Sequence, residues 1–115
     1  MKEALKKRTK TFAHNCIKIT ALLPNSYLAN HIKGQLIRSS TSVAANYRAT
    51  CVAQSKASFI AKISIVIEEI DESNFWLEFI IDESLIKKDE IVFLIKESSE
   101  LTAIFMASRK TASKK

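Results

Sequence analysis

The stretch that decides the fold is Ser55 to Ile81, SKASFIAKISIVIEEIDESNFWLEFII. It contains neither Gly nor Pro, so nothing in it interrupts a helix of about seven turns. Apolar side chains recur along one narrow arc of that helix, as expected of a helix that packs against other helices. These residues are Phe59, Ile63, Val66, Ile70, Leu77 and Ile81. The stretch therefore predicts a long helix at the centre of an all-α domain.

The same helix is also apolar away from this arc. Phe75 and Phe79 are four residues apart and lie nearly opposite the arc, with Trp76 to one side. A helix that is apolar on more than one face in a short chain indicates a second burial partner. We therefore predict that Phe75, Trp76 and Phe79 form an interface between copies of this chain. The alternative for Trp76 is that it covers the edge of its own bundle.

The rest of the chain predicts three more helices in one domain. The 115 residues are 47% hydrophobic and include one Gly and one Pro, which argues against an all-β fold and for few, long helices. The further helices are predicted at residues 4–23, 26–53 and 89–108. Short links between four helices predict an antiparallel up-down-up-down four-helix bundle over residues 1–115. Residues 109–115 are predicted to be a frayed basic tail.

Polar residues mark the predicted helix ends. Pro24 should stop the first helix, because its ring cannot continue the helical hydrogen bonds. Side chains that can cap a helix N-terminus precede each later helix. They are Asn25 or Ser26 for the second helix, Ser55 for the third, and Ser84 or Asp89 for the fourth.

Cysteine usage and hydropathy indicate a cytoplasmic protein. Cys16 and Cys51 lie inside apolar helical patterns, which favours two reduced core thiols over a disulfide. No apolar run approaches the roughly 18 residues of a membrane span. The N-terminal segment lacks the continuous apolar stretch of a signal peptide.

A polar stripe runs beside the apolar face of the second helix. It consists of Gln35, Ser39, Ser42 and Asn46, with Arg38 on its flank. The serines have no visible base partner, so a buried hydrogen-bond network is the better interpretation than a nucleophile. Glu69 of the third helix is predicted to pair with Arg38 and complete this network. Small residues at 39–45 would let a neighbouring backbone come close.

The net charge of +6 is unevenly distributed. In the predicted topology, residues 1–11, 48–62 and 105–115 meet at one end of the bundle. They carry twelve basic residues and one acidic residue, whereas the remainder carries six basic and eleven acidic residues. Such an end predicts salt-sensitive, phosphate-mediated binding of RNA or DNA, and the alternative is that basic tails only maintain solubility. The candidate contact residues are Lys2, Lys6, Lys7, Arg8, Lys10, Arg48, Lys56, Arg109 and Lys110.

No group of residues predicts catalysis. The acidic run at residues 68–72 lacks the Glu-x-x-His partner that di-metal sites in helical bundles require, so a solvated or interface-edge face is the better interpretation. His14 and His31 are the only histidines, and two isolated histidines make a poor metal site. There is no phosphate-binding loop and no Cys-rich ligand pattern. We therefore expect no enzyme activity, cofactor, metal, small-molecule substrate or membrane partner.

Two segments of the chain resemble a known family. QLIRSSTSVAANYRA at 35–49 and SKASFIAKISIVIEEIDESNFWLE at 55–78 are similar to the four-helix bundle proteins encoded in intervening sequences of bacterial 23S ribosomal RNA genes. The LLPNS turn at 22–26 also fits, and the similarity spans about residues 12–105. The matching positions are Arg38, Ser42, Asn46, Glu69 and Trp76.

The resemblance implies an antiparallel bundle that assembles into homopentamers, and it implies no catalytic residue. The related accessory proteins of diversity-generating retroelements bind nucleic acid through a basic pentameric surface. We therefore expect a non-enzymatic homopentamer that binds RNA or DNA non-specifically through its basic end. The alternative is a structural or protein-interaction module with no nucleic-acid role.

Overall fold

The computed structural model describes residues 1–114 as an elongated helical bundle of 49 × 21 × 20 Å. Its elements are α1 (Lys2–Thr20), α2 (Tyr27–Thr50), α3 (Lys56–Asp82), a 3₁₀ turn (Lys88–Glu90) and α4 (Val92–Ser113). No strand occurs among these residues, so the prediction of an all-α fold is confirmed. No helix of the part described is long and apolar enough to cross a membrane.

The four helices pack in chain order. α2 lies between α1 and α3, α3 packs on α4, and α1 closes the bundle against α4 through a smaller contact. Hydrogen bonds between α3 and α4 join residues in opposite chain order. Ser98 Oγ lies 3.1 Å from Asn74 Oδ1, and Arg109 Nη1 lies 3.2 Å from Ser64 Oγ. This is the order that antiparallel neighbours produce, and the helices form the bundle that the sequence predicts.

The arc predicted on α3 provides much of the core. Four of its members are fully buried, namely Ile63, Val66, Ile70 and Leu77. Ile80 is fully buried as well, whereas Phe59 and Ile81, predicted on the arc, are half-buried. α3 packs on α2 and α4 at once, so its buried surface is broader than the one narrow arc that the sequence predicts.

The caps predicted for α2 and α3 are confirmed. The Ser26 side chain accepts a hydrogen bond from the backbone N–H of Ala29 at 3.1 Å. The Ser55 side chain accepts one from Ser58 N–H at 3.0 Å. Each cap satisfies a backbone donor that has no partner inside the helix, which fixes where the helix begins.

The prediction that Ser84 or Asp89 caps α4 is wrong. Ser84 instead ends α3, with a φ of 55° in the left-handed region. Its N–H bonds to Ile81 O at 2.9 Å, and Leu85 N–H bonds to Ile80 O at 3.0 Å. This pair of bonds is the Schellman motif, which satisfies two terminal carbonyls of α3. α4 begins after the 3₁₀ turn with no side-chain cap.

The C-terminal segment is helical where it was predicted to be frayed. α4 continues through Ser113, whose hydroxyl bonds to Arg109 O at 2.9 Å. The Arg109 side chain is anchored on α3 through Ser64, and Ala112 is half-buried, so this turn packs against the bundle. Lys115 of the predicted tail lies outside the described residues.

Candidate nucleic-acid interface

Three separate segments of the chain meet at one end of the bundle. Lys2 Nζ lies 3.3 Å from the carbonyl oxygen of Cys51, which brings the start of α1 to the α2–α3 turn. Lys56 Nζ lies 2.7 Å from the carbonyl oxygen of Lys114, which brings the start of α3 to the end of α4. We call this region the basic end. Neither ammonium group forms an ion pair with another of residues 1–114.

Arg8 was predicted to contact nucleic acid, but its charge is engaged inside the protein. Its Nε lies 3.1 Å from Glu97 Oε2, and its Nη2 lies 2.6 Å from Glu97 Oε1. Glu100 Oε1 lies 3.5 Å from the same Nη2. The hydrogen bond to Glu97 raises the pKa of Arg8 further above its ordinary value. This two-pronged contact ties α1 to α4 and neutralises a cation near the basic end.

The other basic residues predicted to contact nucleic acid differ in their exposure and in whether they form ion pairs. Lys6 forms an exposed pair with Glu3 at 3.3 Å, which is a weak interaction in water. Arg109 is half-buried and bonds to Ser64, as described above. The other four are exposed and have no ion-pair partner within residues 1–114, and these are Lys7, Lys10, Arg48 and Lys110.

A groove runs between α1 and α2 beside the basic end. It has a volume of about 500 Å³, and alanines, cations, Ile17 and the polar side chains of His14 and Thr41 line it. Ala13, Ala44 and Ala45 line it, with Lys10 and Arg48 alongside. The small side chains of α2 that the sequence singled out therefore leave part of this surface open to another molecule.

The predicted polar network of α2 is not one connected network. Ser39 Oγ lies 2.9 Å from Ser73 Oγ of α3, and both side chains are fully buried. Asn46 Nδ2 bonds to the hydroxyl and carbonyl oxygens of Ser42 at 2.8 and 2.9 Å, within α2. Gln35 is half-buried, and its side chain joins neither pair within the part of the chain described. The α2–α3 contact is therefore made close by two serines, of which the sequence analysis identified only one.

Arg38 lies at the exposed edge of the α2–α3 contact. Its Nη1 is 3.1 Å from Glu69 Oε2, as the predicted pairing required, but 48% of the Arg38 side chain is exposed. Its Nη2 bonds to Glu72, which the sequence analysis had placed on a solvated face. The hydrogen bond from Arg38 lowers the pKa of Glu72, and Trp76 Nε1 donates to the same carboxylate at 3.2 Å. The result is a surface ion-pair cluster in place of a buried one.

The aromatic side chains of α3 form one cluster at the bundle surface. The Phe75 ring centroid lies 4.9 Å from that of Trp76 and 5.8 Å from that of Phe79. Phe75 is 52% exposed, whereas Trp76 and Phe79 are half-buried and pack on the core. The His31 ring approaches Trp76 edge-on at 5.6 Å. Trp76 thus covers the edge of its own bundle, and Phe75 is the member most available to a partner.

The potential metal ligands of residues 1–114 lie apart from one another. No set of three or more His, Cys, Asp or Glu side chains in the described chain could hold a metal ion. Cys16 and Cys51 are both free thiols, the first buried and the second half-buried. Burial raises the pKa of Cys16 to about 12, although a hydrogen bond with Ser40 acts in the opposite direction. A thiol with this pKa is not a nucleophile near neutral pH.

Comparison with known proteins identifies the family. The family model described as 23S rRNA-intervening sequence protein matches residues 2–107. No curated protein matches the chain. One similar solved structure is a protein of unknown function from the S23 ribosomal protein family of Bacteroides thetaiotaomicron VPI-5482. It shares 30% sequence identity and a TM-score of 0.84, with 91% of this chain and 97% of that chain covered. These matches confirm the resemblance predicted from the sequence, and the chain belongs to the 23S rRNA-intervening sequence protein family.

Proposed function

We propose that this protein is a non-enzymatic, cytoplasmic homo-oligomer that binds RNA or DNA without sequence specificity through its basic end. The convergence of three basic segments at one end of the bundle carries the proposal. A dense set of cations attracts nucleic acid by releasing counterions from its phosphates. The subunit number we propose is five, as the family resemblance implies.

The residues at this end suit phosphate contacts better than base contacts. The cations there sit on helix ends and turns, where flexible lysine side chains can follow a backbone. The aromatic rings Tyr47 and Phe105 lie near this end, but they are buried against each other with centroids 5.0 Å apart. They cannot stack on bases without opening the core. Contacts of this kind position nucleic acid without reading its sequence.

Assembly would strengthen the attraction. In a cyclic oligomer with parallel subunits, every basic end lies on the same side of the ring. The potentials of the copies then add over one surface, which raises both affinity and association rate. The exposed Phe75 ring is contiguous with the half-buried Trp76 and Phe79 rings, and a contiguous apolar patch of this kind supports burial against a partner.

Charge reversal at the basic end tests the proposal. The variant Lys7→Glu/Lys110→Glu should weaken binding to duplex DNA, duplex RNA and single-stranded RNA alike, measured by fluorescence anisotropy between 50 and 300 mM salt. The matched control is Lys87→Glu/Lys88→Glu, because these exposed lysines lie in the α3–α4 connection at the other end and carry the same formal charge. Equal effects from the two variants would show that net charge alone attracts the nucleic acid.

The competing function is a structural or protein-interaction module. The exposed Phe75 favours it as readily as it favours self-assembly. The absence of detectable binding at 50 mM salt, to any of the three nucleic acids, would remove the nucleic-acid role and leave this module as the function.

A further inference from the structure

The α1–α2 groove combines an apolar floor with a cationic rim. Its volume of about 500 Å³ could accept large side chains, because Ala13, Ala44 and Ala45 supply small side chains to its lining, beside the larger Ile17. Lys10 and Arg48 at its edge are exposed, and neither has an ion-pair partner within residues 1–114. The groove therefore suits a surface that presents apolar side chains beside carboxylates.

The outer face of α3 is such a surface. Ile65 and Phe75 are 41% and 52% exposed, and they project from the side of α3 that lies away from its buried arc. Exposed carboxylates surround them, and none of these forms a salt bridge among the residues described. They are Glu68, Asp71, Glu78 and Asp82. Unpaired acids on one face and unpaired cations on another give the chain two complementary surfaces.

The part of the outer α3 face from Ile65 to Asp71 lies at the height of the groove along the bundle. Arg38 of α2 is level with Glu69 of α3, and the two helices run in opposite directions. Counting along both helices from this contact places Ala44 and Ala45 level with residues 62–63 of α3. Counting from the Ser39–Ser73 bond places them level with residues 67–68. Ile65 lies between these two levels, so it has about the same height along the bundle as Ala44 and Ala45. If two copies are related by rotation about an axis parallel to the bundle, Ile65 of one copy can therefore lie over the groove of the other.

We propose that the outer face of α3 in one copy docks into the α1–α2 groove of a second copy. Ile65 lies against the alanine floor, and Glu68 faces the cations Lys10 and Arg48. The contact joins different surfaces on the two copies, so it repeats head to tail, and the proposed homopentamer is the ring that forms when five such rotations close. This inference rests on the proposed homo-oligomer and specifies its interface. It also assigns Lys10 and Arg48 to assembly and leaves the other basic residues to bind phosphate.

Charge exchange between the two faces tests the interface. One variant carries Glu68→Lys and Asp71→Lys, a second carries Lys10→Glu and Arg48→Glu, and a third carries all four changes. Because like charges across an interface cost several kcal/mol, the first two should each raise the concentration midpoint of assembly at least about ten-fold. The third restores opposite charges and should return the midpoint close to that of the unmodified chain. Sedimentation velocity measures assembly, and circular dichroism verifies that each variant stays helical.

A steric variant tests the groove independently of charge. Ala45 is exposed, so Ala45→Trp can fill the groove without disturbing the core, and it should abolish assembly with helicity retained. The proposed contact is overturned if Ala45→Trp has the same concentration midpoint of assembly as the unmodified chain. It is also overturned if the variant with all four charge changes assembles no better than the two variants with two changes each. An unmodified chain that is monomeric at all concentrations would reject both this interface and the proposed homo-oligomer. If the chain assembles and none of these substitutions changes the concentration midpoint, this interface is rejected and the proposed homo-oligomer stands.

Discussion

Replacing Arg8 with glutamine should reduce stability and leave nucleic-acid binding largely intact. Two hydrogen bonds join its guanidinium to Glu97 between α1 and α4, and 34% and 27% of the two side chains are exposed. Exposed ion pairs contribute about 0.2–1 kcal/mol, and charge-assisted, two-pronged contacts are about twice as strong as neutral ones. We therefore expect a loss of about 1–1.5 kcal/mol. For a domain of this size that lowers the Tm by roughly 4–6 °C.

Lys7→Gln is the matched comparison, since it removes the same formal charge one residue away. Lys7 is exposed and has no ion pair among residues 1–114, so its loss should change stability by less than about 0.5 kcal/mol. If Lys7 contacts a phosphate, the slope of log affinity against log salt should fall by about 0.9 for duplex DNA. Both Arg8→Gln and Lys7→Gln remove one positive charge, so both weaken the long-range attraction of nucleic acid equally. The difference in affinity between the two variants therefore reports local contacts alone.

Glu97→Gln sharpens the comparison. It frees the Arg8 guanidinium and removes an anion, so affinity for nucleic acid should rise while the Tm falls. Thermal unfolding followed by circular dichroism gives the stabilities, and anisotropy at several salt concentrations gives the affinities. The reasoning is refuted if Arg8→Gln keeps the Tm of the unmodified chain and loses as much affinity as Lys7→Gln, because Arg8 would then face the phosphates in solution.

Three further predictions concern the bundle itself. A double-mutant cycle of Ser39→Ala and Ser73→Ala in urea unfolding should give a coupling of about 0.5–1.5 kcal/mol, and zero coupling would mean that the buried hydroxyl contact contributes nothing. Ser84→Gly should stabilise by about 0.5–1 kcal/mol by relieving the left-handed strain, and destabilisation in urea would contradict that conformation. With Cys51→Ser, a thiol reagent at pH 8 should label Cys16 only as fast as the chain unfolds. Between pH 9.0 and 10.0, the free energy of unfolding should fall with pH in urea titrations, because the unfolded thiol ionises while the folded one, with a pKa of about 12, stays protonated. Above pH 10.0, Tyr47 adds a fall of the same sign, because burial raises its pKa as well.

Helix number and the first two caps could be predicted because they depend on neighbouring residues. The scarcity of Gly and Pro, the period of 3.6 residues and a serine before each of α2 and α3 are local signals. The way in which α3 ends could not be predicted from neighbouring residues. Ser84 carries no glycine-like signal for a left-handed position, so it was interpreted as a possible cap of the next helix.

The contacts between helices could be predicted only where neighbouring faces were already assigned. Arg38 and Glu69 were both placed on the α2–α3 contact, and their side chains do meet. The partner of Arg8 lies 89 residues away in α4, and hydrophobic periodicity does not encode the register between helices so distant in the chain. Ser73 was missed for a related reason. Small polar residues look solvent-exposed in a sequence pattern, yet a fully buried one lets two helix backbones approach.

The register between α2 and α3 connects the two proposals made for this chain. The Ser39–Ser73 bond holds α2 and α3 at one register, and that register places the alanines of the groove within one helical turn of Ile65 along the bundle. The same α3 carries Lys56 to the end of α4 and so helps to build the basic end. A slip of one helical turn, about 5.4 Å, would displace both surfaces together. Larger side chains at residues 39 and 73 should therefore impair assembly and nucleic-acid binding together. Charge reversal at Lys7 and Lys110, which do not line the groove, should instead weaken nucleic-acid binding and leave assembly intact.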